Sequence, residues 1–251
     1  MKKRKNILVV IVAILLFAVV FMNICILYNH TQKQSRQEGV LQLATVSEKM
    51  ENAFGDAELL TTELAIKARE YLDDKEQLEK FIYAQKKEIV SNETGVFNIY
   101  IAGSDFAIIP DFDMPDDYNA TERVWYKGAV KSKGQPYVSP PYQDAMTGEI
   151  CYSVSVALGD NDTVLSIDYT MEGVRSYVAR MADNAVRAVI VTDEGIIAGC
   201  SDESQVGSKL VAAVPDYAGI YARVRKKTGV TTARIRDGYF FENLFAMRSG
   251  N

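Results

Sequence analysis

The sequence predicts an α+β protein: an N-terminal transmembrane helix, a long stalk helix, and two tandem α+β modules with antiparallel sheets. Three observations carry this expectation. A basic start, "MKKRKN", runs into an apolar stretch from Ile7 to Leu27 in which Asn23 is the only polar side chain. A proline-free segment follows, with apolar residues every three or four positions. From "GVFNIYIAG" onward the period changes, and strand-like runs alternate with turn compositions and short helical patterns.

The apolar stretch is long enough to matter. At a helical rise of about 1.5 Å per residue, Ile7 to Leu27 covers roughly 30 Å, the thickness of a bilayer's hydrocarbon core. The apolar region of a cleaved signal peptide is only about 7–15 residues long and ends at small residues. Here the run continues into "YNHTQKQ" with no such site, so a retained membrane helix is expected. The basic end should stay in the cytoplasm, which puts everything after Leu27 outside.

Composition narrows the function. There are 28 basic residues against 33 acidic ones, a net charge of −5, and no basic stripe, so nucleic acid is not an expected partner. The one histidine, His30, lies at the membrane boundary. A His-rich zinc site and a His-based catalytic triad are therefore excluded by counting, and no metal or cofactor is expected. Of three cysteines, Cys25 falls in the apolar span. Cys151 and Cys200 sit in strand-like segments and read as buried free thiols rather than a disulfide. Neither G-x-S-x-G nor H-E-x-x-H is present. The carboxylates Asp111, Asp113, Asp116 and Asp117 keep a cell-surface hydrolase open as a rival reading. Their run, "DFDMPDD", lacks the spacing of a calcium loop and reads as a solvated acidic turn.

Element by element, Leu43, Val46, Met50, Phe54, Ala57, Leu60, Leu64 and Ala68 form the stripe of a long amphipathic helix. Unbroken, it would extend roughly 60 Å. Its stripe needs a cover: a strand-rich domain, a second copy of the helix, or both. A second helix is expected over Lys75–Ile89, then strands at "GVFNIYIAG" and "FAIIP". The segment from "DFDMPDD" begins as a loop and turns helical at about Thr121. "QPYVSPPYQDAMTGE" is extended and loop-like, while "EICYSVSVAL" and "TVLSIDYT" read as a hairpin. A helix from Met171 to about Met181 precedes the second block. There "RAVIVTDEGIIAGC" is strand–turn–strand, "VPDYAGIYARVRKK" is helical, and "GVTTARIRDGYFFENLFAM" is strand, "DG" turn, strand. This block holds fewer strands than the first, and the chain stops at "FAMRSGN", so a truncated second module is expected.

The stretch "YNATERVWYKGAV" concentrates chemistry. Arg123 offers a planar fork of donors that matches a carboxylate. Trp125 adds a flat face and one N–H, and Tyr118 and Tyr126 add apolar walls with polar tips. Downstream, Tyr142 and Asp144 lie on a proline-stiffened loop and Asp168 near a strand end. An arginine at one end and aspartates at the other would recognise a zwitterion. Spacing alone allows the plainer alternatives: "WY" as core, Arg123 as a surface residue, Asp168 as an N-cap of the following helix.

The ordered set "RVWYKGAV … YVSPPYQDAMTGEICYSVSVAL … VLSIDYT" resembles the double Cache (dCache) sensor family, found outside the membrane in bacterial chemoreceptors, sensor kinases and cyclic-dinucleotide enzymes. The resemblance implies a long helix supporting two stacked PAS-like modules, the membrane-distal one holding the ligand. On that scheme residues 1–6 are the cytoplasmic N-terminus, 7–27 the membrane helix, 28–72 the stalk, 73–182 the distal module and 183–251 the proximal one. It further implies an amino-acid-binding subgroup: Tyr118, Arg123, Trp125, Tyr126, Tyr142, Asp144 and Asp168 follow that subgroup's order. Arg123 and Trp125 would hold a carboxylate, and Asp168, with tyrosine oxygens and Asp144, an amino group. Gly128 departs from the pattern, standing where many members carry aspartate. Relatives that bind amines or purines share parts of the signature. The expected function is thus the sensory part of a transmembrane receptor, not an enzyme, homodimeric through its stalk. The alternatives are an amine or purine sensor, or a ligand-free dimerising spacer.

Overall fold

The computed structural model describes residues 2–92, 95–159, 162–182, 188–192, 194–226, 229–237 and 240–248. The chain divides into two compact units, Met1–Thr45 and Val46–Asn251. Helix α1 (Lys2–Ala68) contributes to both. In the first unit its apolar side chains are laid bare, Phe17 at 72% and Leu27 at 68% exposure. Among the described residues this is the one helix long and apolar enough to cross a membrane.

In the second unit α1 turns Ala57, Thr61, Leu64, Ala65 and Ala68 inward, one face at helical spacing. Buried Thr61 satisfies its hydroxyl on the carbonyl of Ala57, 2.7 Å away. The helix ends at Ala68, short of the Leu72 expected from sequence, and tightens into a 3-10 turn at Arg69–Tyr71. Asp74 then caps helix α2 (Lys75–Asn92): its Oδ1 accepts from the backbone N–H groups of Glu76 and Gln77, each at 3.1 Å. Leu78, Ile82 and Ile89 of α2 are buried.

Strands β1 (Val96–Ala102) and β2 (Ala107–Ile108) follow, then helix α3 (Val124–Lys131). The remaining strands of the same sheet are β3 (Tyr137–Val138), β4 (Tyr142–Gln143), β5 (Ile150–Leu158) and β6 (Thr163–Thr170). They form one antiparallel sheet in the order β2-β1-β6-β5-β3, with β4 also pairing β5. The expected hairpin is β5–β6. The segment expected to be extended and loop-like supplies the two short edge strands β3 and β4.

Strand alternation gives the sheet two unlike faces. On one, Ile99, Ile101, Val154, Val156, Leu158, Leu165 and Ile167 join Leu64, Ala68, Leu78 and Ile82 in a single apolar core under α1 and α2. On the other stand Asn98, Tyr100, Ser153, Ser155, Ser166 and Asp168, all buried. The register explains how: Asn98 and Ser153 both lie opposite Asp168, and Ser155 lies opposite Ser166. An irregularity between Val96 and Asn98 sets which face Asn98 takes.

Helix α4 (Glu172–Ala182) leads to the second block. There β7 (Val189–Val191) pairs with β8 (Ile197–Cys200). Helix α5 (Leu210–Ala213) precedes the segment expected to be one helix, which divides into a 3-10 turn (Pro215–Tyr217) and helix α6 (Ala218–Val224). A long hairpin of β9 (Gly229–Asp237) and β10 (Phe240–Arg248) comes last, and its turn lies outside the described residues. Ile197, Leu210, Val214, Tyr217 and Ile220 make a core separate from that of the first sheet. Gly199 lets α4 close on β8: a Cβ there would come within 2.6 Å of Val174.

Ile167 sits at the centre of the apolar face, fully buried on the middle strand. Ile167→Ala should lower unfolding stability by about 2–5 kcal/mol, measured by chemical denaturation of the two proteins side by side.

Candidate functional site

The polar face of the sheet is the floor of a cleft whose walls are α3 and the loops on either side of it. Asn98, Tyr100, Trp125, Tyr142 and Asp168 line its inner part, and Ile109, Phe112, Tyr118, Arg123, Asp144, Ala145 and Met146 its outer part. It holds about 280 Å³ of space counted out to its open mouth. Six of the seven residues singled out from sequence line it. Tyr126 does not: it is the next residue after Trp125 on a helix, so its ring points about 100° away. Its hydroxyl donates to the carbonyl of Asp162 at 2.5 Å, and the ring packs with Ala129 and Val164.

Asp168 anchors the floor. Three hydroxyls donate to its Oδ1: Ser153 at 2.5 Å, Tyr100 at 2.7 Å and Tyr142 at 3.0 Å. Tyr142 and Ser153 also meet each other at 2.5 Å. Among the described residues no hydroxyl donates to Oδ2, and Asp168 lines the cleft. Burial pushes the Asp168 carboxyl up to about 6, with the three hydrogen bonds opposing that rise. Tyr100 and Tyr142 are also raised, first by burial and then by the neighbouring Asp168 charge. Asp168 is a floor residue of the sheet rather than a helix cap.

Donors line the opposite wall. The N-terminal end of α3 places Arg123 and Trp125 two residues apart. Arg123 lies over the Tyr142 ring at 5.6 Å and spends Nη2 on the carbonyl of Gln143 at 3.0 Å. It makes no ion pair among the described residues, so most of its donor fork is unused. Trp125 is 1% exposed, edge-on to Tyr100 at 4.9 Å, and its indole N–H has no acceptor among the described residues. Tyr118, edge-on to Phe112 at 5.4 Å, is half-buried, and burial raises its hydroxyl to about 12 against the pull of Arg123.

Asp144 has local work. Its Oδ2 accepts from the N–H groups of Met146 (3.0 Å) and Thr147 (2.6 Å) and from the Thr147 hydroxyl (2.8 Å), holding the turn before β5. Gly128 has a steric reason: a Cβ there would lie 2.0 Å from the Tyr137 ring. An aspartate at 128 is incompatible with that ring position. The acidic run forms the rim, where Asp111 pairs with Lys86 of α2 at 2.6 Å. No group of three potential metal ligands occurs among the described residues.

Sequence reasoning missed Asn98, Tyr100 and Ser153 on the floor and the apolar Ile109, Phe112, Ala145 and Met146. The strand alternation of "VFNIYIA" and "CYSVSVAL" already held the floor residues, but only strand pairing brings them to Asp168. Chemically, the arrangement offers a buried acceptor at one side and cationic and neutral donors at the other.

The fold is similar to that of solved ligand-binding domains of chemoreceptors. Residues 66–170 match the family model described as methyl-accepting chemotaxis protein-like, first PDC sensor domain. The methyl-accepting chemotaxis protein TlpA of Bacillus subtilis is 31% identical over 126 residues, 47% of this chain. The chain spans 19% of that relative's length. Among solved structures, the ligand-binding domain of Pseudomonas fluorescens chemoreceptor CtaA in complex with L-isoleucine superposes with a TM-score of 0.66. Identity is 17%, with 86% of each chain covered. The Pseudomonas aeruginosa amino-acid chemoreceptor PctC domain, in complex with GABA, gives 0.61 at 20% identity, covering 80% of this chain and 88% of that one.

Because the folded Asp168 carboxyl lies above its ordinary value of 3.8, the protein binds a proton there more tightly folded than unfolded. Its contribution to stability is therefore present at pH 4 and is lost as pH rises through 6. Relative to Asp168→Asn, the ligand-free protein should lose about 2 kcal/mol between pH 4 and pH 7, read from denaturation midpoints across that range.

Proposed function

We propose that this chain is the sensory portion of a bacterial transmembrane receptor and that its cleft binds a free amino acid as a zwitterion. The observation that carries the reading is the opposition across one small cleft of an uncommitted arginine–indole pair and the open oxygen of a buried carboxylate. The Arg123 fork and the Trp125 N–H are two donor groups suited to a carboxylate, with the Tyr118 hydroxyl beside them. Asp168 supplies the counter-charge for an ammonium group, whose remaining protons fit the Tyr100 and Tyr142 oxygens. The ammonium replaces solvation that burial removed, so the ligand stabilises the ionised carboxylate.

The chemoreceptor relatives and the amino-acid-bound structural neighbours support the same reading. In it residues 7–27 span the membrane, the sensor lies outside the cell, and the stalk helix pairs with a second copy. The domain works by binding, not by catalysis. Occupancy biases one of two arrangements of the helix pair, by no more than the ligand's differential affinity for them.

Full-length protein in detergent, screened by thermal unfolding, should be stabilised by at least one amino acid. At a hundredfold over the dissociation constant the gain is about 2.7 kcal/mol, and Arg123→Ala should abolish it. Stabilisation by simple amines that survives Arg123→Ala would replace the zwitterion reading with an amine one. Apparent affinity should also fall about tenfold per pH unit below pH 6, as Asp168 must give up its proton to bind.

A further inference from the structure

Asn98 is 2% exposed, lines the cleft, and lies opposite Asp168 on the neighbouring strand. Its amide orientation is fixed by chemistry. Oδ1 accepts the backbone N–H of Ile99 at 2.9 Å, and an N–H cannot donate to an NH₂ group. The Nδ2 end is therefore the one left over, and it finds no acceptor among the described residues. Nδ2 is not sealed in the core but open to the cleft, where a bound molecule can reach it. This donor belongs to the cleft and is not used by the zwitterion contacts described above.

We infer that Asn98 is a specificity-determining residue whose Nδ2 donates to a neutral acceptor on the ligand's side chain, a carboxamide or hydroxyl oxygen. The inference rests on the zwitterion reading and adds the side-chain class to it. A cationic side chain has only donors to offer, and Nδ2 cannot accept them. An anionic one would stand beside the Asp168 carboxylate, which the sheet register puts across from Asn98. The rest of the lining, Ile109, Phe112, Ala145 and Met146, is uncharged. The small volume favours a short side chain.

The test compares shape-matched ligands on full-length protein in detergent by calorimetric titration: L-asparagine against L-leucine, and L-serine against L-2-aminobutyrate. At least one polar member should bind tenfold or more tightly than its apolar partner. In Asn98→Ala, which removes the donor and adds no charge beside Asp168, that preference should vanish while the apolar partner's affinity changes less than threefold. Asn98→Ser serves as the second variant, with unfolding temperature as the folding control for both. Apolar ligands binding as tightly as polar ones in the native protein would overturn the inference and leave the zwitterion reading standing. Equal loss for every ligand in the variants would likewise overturn it, since Asn98 would then be holding the common backbone. Failure of every amino acid to bind would overturn both.

Discussion

A carboxylate buried in the middle of a β-sheet needs a reason to be there, and Asp168 organises the polar face of the first sheet. Removing such a group from water costs several kcal/mol unless hydrogen bonds or an opposite charge replace what is lost. Here three hydroxyls from three other strands, Tyr100, Tyr142 and Ser153, converge on one oxygen. They compensate in part only, since the carboxyl still sits at about 6. The deficit is what a cationic ligand group would make good.

That arrangement requires the two faces of one sheet to do different things. The face under α1 and α2 is aliphatic and supplies the burial that holds the strands in register. With that register secured, the opposite face is free to carry serines, an asparagine and an aspartate at adjacent positions. A slip of one residue would exchange the two sets, so the aliphatic core and the polar floor specify each other. Helix α1 belongs to both concerns: its outer stretch suits lipid, and its inner stretch covers the sheet that holds the cleft.

Much of this was legible in the sequence, for definite reasons. The long helix, the hairpin β5–β6 and the apolar span each rest on a periodicity that repeats many times. The resemblance to dCache domains drew attention to Arg123, Trp125, Tyr142 and Asp168, which the fold gathers into one cleft. Tyr126 had the right chemistry in the wrong direction, because adjacent helical residues cannot share a face. Asn98 and Tyr100 were hidden for another reason. In "VFNIYIA" they look like the polar side of an ordinary strand, and only the irregularity at Val96–Asn98 and the pairing with β6 bring them to Asp168. The short strands β3 and β4 were read as loop because two residues carry no period at all.

On the zwitterion reading, Asp168 waits for a positive charge. The direct measurement is its ionisation, followed by carbon-13 NMR of aspartate-labelled full-length protein with and without a saturating amino acid. A midpoint near 6 is expected in the free protein, dropping by at least two pH units when the ligand is bound. The same midpoint in both states, with binding demonstrated independently, would contradict it and place the ligand's ammonium group elsewhere.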